Sequence, residues 1–229
     1  MKFYKFFSPP SVRGVADPKP AKAFIPDWYK KAESSFIEVD GSTAPGLKTC
    51  VPYLDAMTAG YILSTPVDIY VNENKNELSH LFNSEELVIR WDGPPEFGGI
   101  IKERSKDSGS TMPRPPGHYP NHLVFSGYTD MKTPRGWSTL MTTPLNRDDL
   151  PWTTTSGIID TDKFHSAGNI PFFLKRGVSG LIPKGTPIVQ LIPIKRAAWT
   201  MIDNDPLSGQ GGDITGSVAR ENRAGDKKK

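Results

Sequence analysis

The chain has 229 residues, of which 36% are hydrophobic and 23% charged, enough for one packed domain with arms. A net charge of +3 gives no electrostatic case for nucleic-acid binding, and the lack of any run of about 18 apolar residues argues against a membrane-crossing helix. A single cysteine, Cys50, excludes an internal disulfide or a cysteine-based zinc cluster and reads as a small buried hydrophobe rather than a nucleophile.

The 22 prolines and 21 glycines favour short strands joined by turns. The start, M-K-F-Y-K-F-F-S-P-P, lacks the apolar centre of a signal peptide, so a cytoplasm or a particle assembled in one is the expected location. Residues 1–48 read as an extended arm, punctuated by S-P-P, D-P-K-P and F-I-P-D-W-Y-K-K. Asp27 is placed to cap a short helix through Ser35. Phe24, Trp28 and Tyr29 are expected to dock on the chain's own core or on a neighbouring subunit.

Residues 49–202 read as the β domain, with its first strands in 49–71. Val67, Ile69 and Val71 alternate with Asp68 and Tyr70, the period of a strand with one buried face. N-E-N-K-N-E-L-S at 72–79 is a polar turn, and Leu87, Ile89 and Trp91 share a face of the next strand. Residues 92–121 form a long loop with room for a short strand at Ile100–Ile101. H-L-V-F at 122–125 is a short strand, and P-R-G-W-S-T-L-M-T-T-P at 134–144 is a turn followed by a strand. Ser156 to Arg196 reads as two buried strands around an acidic turn, then a Lys-Gly turn feeding a last strand. Residues 203–229 form a polar, Gly-rich tail whose final lysines, Lys227 to Lys229, read as solvated.

Other chemistry is sparse. His80, His118, His122 and His165 offer metal-like spacing only in His118-x-x-x-His122, where Pro120 breaks the helix that spacing needs, so no metal site is expected. There is no Gly-x-Ser-x-Gly elbow and no Walker-type phosphate loop.

Three segments occur in the order seen in the dUTPase and dCTP-deaminase barrel: A-G-Y-I-L-S-T-P (59–66), G-I-I-D-T-D (157–162) and I-P-K-G-T-P-I-V-Q-L (182–191). The chain resembles that family through them. The resemblance implies an all-β antiparallel barrel or jelly roll and a trimer. It implies Asp160 as general base, activating water. It also suggests Lys163, Phe164, Gln190 and Arg147 at a nucleotide, with Mg²⁺ as the only cofactor. S-G-Q-G-G-D-I-T-G-S at 208–217 is similar to the family's Gly-rich phosphate arm.

The chain departs from the pattern at Ile62, where the family has Asp, and at Lys163-Phe164, where it has a stacking Tyr. The family's Arg-Ser-Gly segment is missing, with T-T-P-L-N-R (142–147) in roughly its place. Residue chemistry also allows a structural reading, in which Asp160 and Asp162 satisfy the amides of a tight turn. A wider set resembles an uncharacterised protein family of tailed phages and some bacteria: I-P-D-W-Y-K, L-K-T-C-V-P-Y-L-D-A-M-T-A-G-Y, P-R-G-W-S-T-L and the two C-terminal segments.

Two functions follow. The favoured one is a non-catalytic phage protein, a virion component or host-interaction module, partnered by copies of itself or by another phage or host protein. The alternative is an enzyme that hydrolyses or deaminates a deoxynucleoside triphosphate with Asp160 as base.

Overall fold

A computed structural model describes residues 5–7, 17–72, 81–83, 87–91, 99–104, 112–127, 129–164, 168–198, 201–202 and 213–214. The N-terminal element is β1 (Lys5–Phe7), followed by β2 (Lys19–Pro20), α1 (Asp27–Lys31), β3 (Ser35–Ile37), β4 (Thr43–Pro45) and α2 (Val51–Thr58). Then come β5 (Tyr61–Ser64), β6 (Ile69–Val71), β7 (Leu81–Asn83), β8 (Val88–Trp91), β9 (Ile101–Glu103), β10 (Leu123–Ser126) and β11 (Asp130–Lys132). The remainder are β12 (Trp137–Thr142), β13 (Trp152–Thr154), β14 (Gly157–Ile159), β15 (Asn169–Leu174), β16 (Gly180–Ile182), β17 (Pro187–Lys195), β18 (Met201–Ile202) and β19 (Asp213–Ile214).

The chain divides into two units, Met1–Ile194 and Lys195–Lys229. In the second, β18 and β19 pair antiparallel, Met201 opposite Ile214. The first unit is mostly antiparallel β-structure. Its three larger sheets run β13-β15-β10-β9, β14-β12-β17-β5-β2 and β16-β6-β8-β7, and among the described residues the strand pairing does not close into a barrel.

Period-two patterning explains the core. Ile69 and Val71 of β6, Leu87 before β8, and Ile89 and Trp91 in β8 are all buried, while Tyr70 and Arg90 between them lie opposite each other on the outer face. These side chains join Leu123, Phe125, Trp152, Ile170, Phe172, Val189 and Leu191 in one apolar cluster contributed by all three sheets. Phe125 stacks on Phe172 at 4.1 Å between ring centres and Trp152 meets both edge-on, contacts worth roughly 0.5–1.5 kcal/mol each beyond area burial. Trp152 also ties two sheets together: its indole N–H donates to the Pro187 carbonyl (2.9 Å), and the Thr154 hydroxyl donates to that of Ile188 (2.6 Å).

The expected short strand in the 92–121 segment is β9, and the turn at 134–137 feeds β12 as its sequence predicts, with Gly136 at φ +83°. Four expectations are corrected. Residues 51–58, read as strand, form α2. Pro52 fits a first helical turn, where its missing N–H costs nothing, and Met57 is the residue this helix buries. Cys50 is exposed, because it caps that helix rather than entering the core. Asp27 does not cap α1: Pro26 holds the cap position and the helix ends at Lys31, so Asp27 lies inside its first turn and pairs with Lys30 at 3.0 Å. Finally, β14 is not buried. It is the edge strand of its sheet and leaves Ile158 54% exposed.

The polar turn at 72–79 lies outside the described residues except for Asn72, and the phosphate-arm-like segment 208–217 lies outside them except for 213–214.

Candidate functional site

The acidic turn follows β14. Pairing of Thr139 with Ile159 places Ser138, at the start of β12, beside Asp160. The Ser138 hydroxyl donates to Asp160 Oδ1 at 2.7 Å, and the backbone amides of Lys163 and Phe164 both donate to the Asp160 carbonyl at 2.9 Å. Asp162 Oδ2 accepts the Gly136 amide at 2.8 Å, which fastens the acidic turn to the turn before β12. Between the two aspartates Thr161 is buried. Its hydroxyl lies 2.7 Å from that of Thr133 and 2.9 Å from that of Thr139, and Thr133 in turn donates to the Trp137 carbonyl. The cluster is a set of hydroxyls and carboxylates that bond one another and the local backbone. Ser138 and Thr139 are fully buried, so neither hydroxyl is reachable as a nucleophile. Lys163 and Phe164 point outward, Phe164 being 58% exposed, close in sequence to the exposed Ile158.

Gln190 and Arg147 belong to a different neighbourhood. Gln190 is completely buried in β17. Its amide donates to the Ala56 and Ala59 carbonyls, and its oxygen accepts the Leu145 amide, all at 2.8 Å. Both amide protons are therefore committed to the protein's own backbone. Arg147 grips Asp149 with a fork of 2.8 and 2.9 Å and donates to the Phe24 carbonyl at 2.9 Å. Burial pushes the Asp149 carboxyl up, but the Arg147 fork and the Trp28 indole outweigh it and hold the group below its ordinary value. These residues dock the arm: Tyr29 is buried and stacks on Tyr53 with ring centres 6.1 Å apart.

The structure therefore does not bring the five residues together. Ser138 marks the Asp160 end of β12, and Leu145, beyond its other end, marks the Gln190 end. At about 3.3 Å per residue, positions 138–142 alone separate them by about 13 Å. The Arg147 guanidinium is turned to the arm. Ile62, in the position where the resembling family has an aspartate, is a buried core residue opposite Gln190. Among the recesses of the first unit, an apolar one is lined by Leu63, Pro66, Ile100, Phe125 and Ile188 and a mixed one by Pro18, Thr129, Met131, Met141 and Leu191, and neither of these borders Asp160.

Among the described residues no group of three His, Cys, Asp or Glu side chains converges on a point that could hold a metal ion. His118 is tied to the Pro116 carbonyl and the Thr153 hydroxyl, whereas His122 stacks on Phe173 and has no hydrogen-bond partner at either ring nitrogen.

Sequence reasoning missed a second surface. Among the described residues the β3–β4 hairpin pairs with no other strand, and every residue of β3 is exposed. Phe36 is 47% exposed and Ile37 77%, and Val39 at the tip is fully exposed. Trp28, Leu47 and Val51 are exposed on either side of it in sequence. The signal was present in the run F-I-E-V, apolar residues beside acids, inside a segment read only as arm.

No known protein-family model, curated protein sequence or solved structure matches the chain.

Proposed function

We propose that the chain is a non-catalytic, protein-binding component of a tailed phage, acting in the virion or on a host protein, and built on a dUTPase-like β-barrel or jelly roll. The observation that carries this reading is the concentration of exposed large apolar side chains in residues 28–51, centred on a hairpin that pairs with no other strand among the described residues. Soluble domains rarely leave such patches open unless another macromolecule covers them. The Asp160 turn supports the same reading. Its carboxylates are bonded to Ser138 and Gly136, and the residues that a nucleotide would need are dispersed over two ends of β12. The phage setting rests on the sequence resemblance.

The test is turnover. With Mg²⁺ and each deoxynucleoside triphosphate, the purified chain is expected to release neither phosphate nor ammonia above background, and Asp160→Asn is expected to behave identically. Turnover that disappears in Asp160→Asn would establish the enzyme instead, with Asp160 as its base.

A further inference from the structure

The β3–β4 hairpin is well defined in itself. The Glu38 amide donates to the Ser42 carbonyl (2.8 Å), the Gly41 amide to the Glu38 carbonyl (3.0 Å), and Gly41 sits at φ +83°, closing the tip. Asp40 Oδ1 accepts the Ser42 amide, and the Ser42 hydroxyl and amide together hold its carboxyl below the ordinary value. At its base Gly46 donates to the Ser34 carbonyl at 2.8 Å, and a Cβ there would lie 2.3 Å from the Glu33 carbonyl oxygen. A two-stranded hairpin with no covered face is marginal by itself in water. This one presents Phe36, Ile37 and Val39 to solvent.

Its charge is one-signed. Residues 33–46 contain Glu33, Glu38 and Asp40 and no Lys or Arg, a net −3. The whole chain carries +3, so the remainder carries +6. One other exposed strip carries the opposite sign. Residues 112–117, M-P-R-P-P-G, hold Arg114 and no acid. The Gly117 carbonyl of that strip accepts the Arg176 amide (2.8 Å), and the Arg176 guanidinium lies 5.2 Å from the Tyr119 ring centre, so the strip and the Lys175-Arg176 turn form one surface. Met112, Arg114 and Arg176 are exposed on it. Proline-rich extended segments dock on exposed aromatic and apolar surfaces at little entropic cost, because proline has already fixed their backbone.

We infer that the acidic, apolar β3–β4 hairpin of one copy of this chain docks on the basic proline strip 112–117 of a second copy. The match has two parts, Ile37 and Val39 against Met112 and the prolines, and Glu38 and Asp40 against Arg114 and Arg176, while Phe36 lies on the opposite face of β3. Because the two surfaces differ, the contact is head-to-tail and repeats from copy to copy. The inference rests on the reading of the chain as a protein-binding component and names its partner.

The experiment is sedimentation of the full chain over about a hundredfold range of concentration, at low and high salt. The wild type is expected to self-associate, with a dissociation constant that rises about tenfold or more at high salt. The variants Ile37→Lys/Val39→Lys and Met112→Asp/Arg114→Glu change only exposed side chains, so each is expected to keep its circular dichroism and to sediment as a monomer. Mixed together, they are expected to form a heterodimer, since one intact hairpin then meets one intact strip. A wild type that is monomeric throughout, assembly that ignores salt, variants that still assemble, or a mixture that stays monomeric each overturns the inference. Self-docking and catalysis are read separately. A monomeric chain without nucleotide turnover leaves the protein-binding reading standing and moves the partner to another protein, whereas turnover by a chain that self-associates overturns that reading alone.

Discussion

His122 is buried, stacked on Phe173 at 5.1 Å between ring centres, and has no partner for either ring nitrogen. Burial, reinforced by the positive charge of Arg104, pushes its pKa below the ordinary 6.5. The sign of the consequence follows from linkage. Below about 6.5 the unfolded chain takes up a proton at this position that the folded chain refuses, so the stability contributed by neutral His122 is complete above that pH and declines as pH falls through and below it. His122→Phe keeps the stacking surface and removes the titration. Thermal unfolding from pH 7.5 to 5 is expected to show a shallower loss of stability in the variant than in the wild type. Parallel curves would show that His122 does not couple folding to protons. Nothing in the spacing of the histidines foretold this. The pattern His118-x-x-x-His122 invites a metal reading, yet His118 is bonded to Pro116 and Thr153 while His122 packs on an aromatic ring.

At the scale of elements, period-two stretches were legible in the sequence because each contains its own explanation. Ile69 and Val71, and Leu87, Ile89 and Trp91, are buried as their alternation requires. What could not be read locally was any feature decided by distant chain. G-I-I at 157–159 has the composition of a buried strand, but its place at a sheet edge depends on the other strands. The same holds for Gly60 of the A-G-Y segment. Its φ is +67°, and a Cβ there would lie 2.1 Å from the Leu191 carbonyl oxygen, so β17 is what demands glycine. Gln190 is the clearest case of a motif residue whose work is done between elements. It fastens the end of α2 and the turn after β12 to β17 through three bonds of 2.8 Å. Gln190→Leu fits the volume but orphans two carbonyls and an amide, and a cost of about 2 to 3 kcal/mol is expected in denaturant unfolding. Amide exchange is expected to accelerate first in residues 51–59. An unchanged midpoint would mean that water replaces the glutamine without penalty.

For the molecule as a whole, the β-rich class followed from prolines, glycines and alternation, and the function did not, because the motif residues that suggested chemistry are bonded within the chain at separate places. Asp160, Thr161 and Asp162 stitch an edge strand to the turn before β12. Arg147 fixes the arm, with Phe24 accepting from its guanidinium. The exposed apolar hairpin lies elsewhere, in a stretch with no motif at all. On the proposed reading the Asp160 turn does structural work and the function lies on protein surfaces. The measurement that tests it most directly is a thermal-shift screen of the full chain against dUTP, dCTP and the other deoxynucleotides with Mg²⁺. A ligand present at about 100 times its dissociation constant stabilises a fold by about 2.7 kcal/mol, a shift of several degrees for a domain of this size. The account predicts an unmoved melting temperature with every nucleotide. A shift of that size with one of them, lost in Asp160→Asn, would contradict it and place a nucleotide site at the turn.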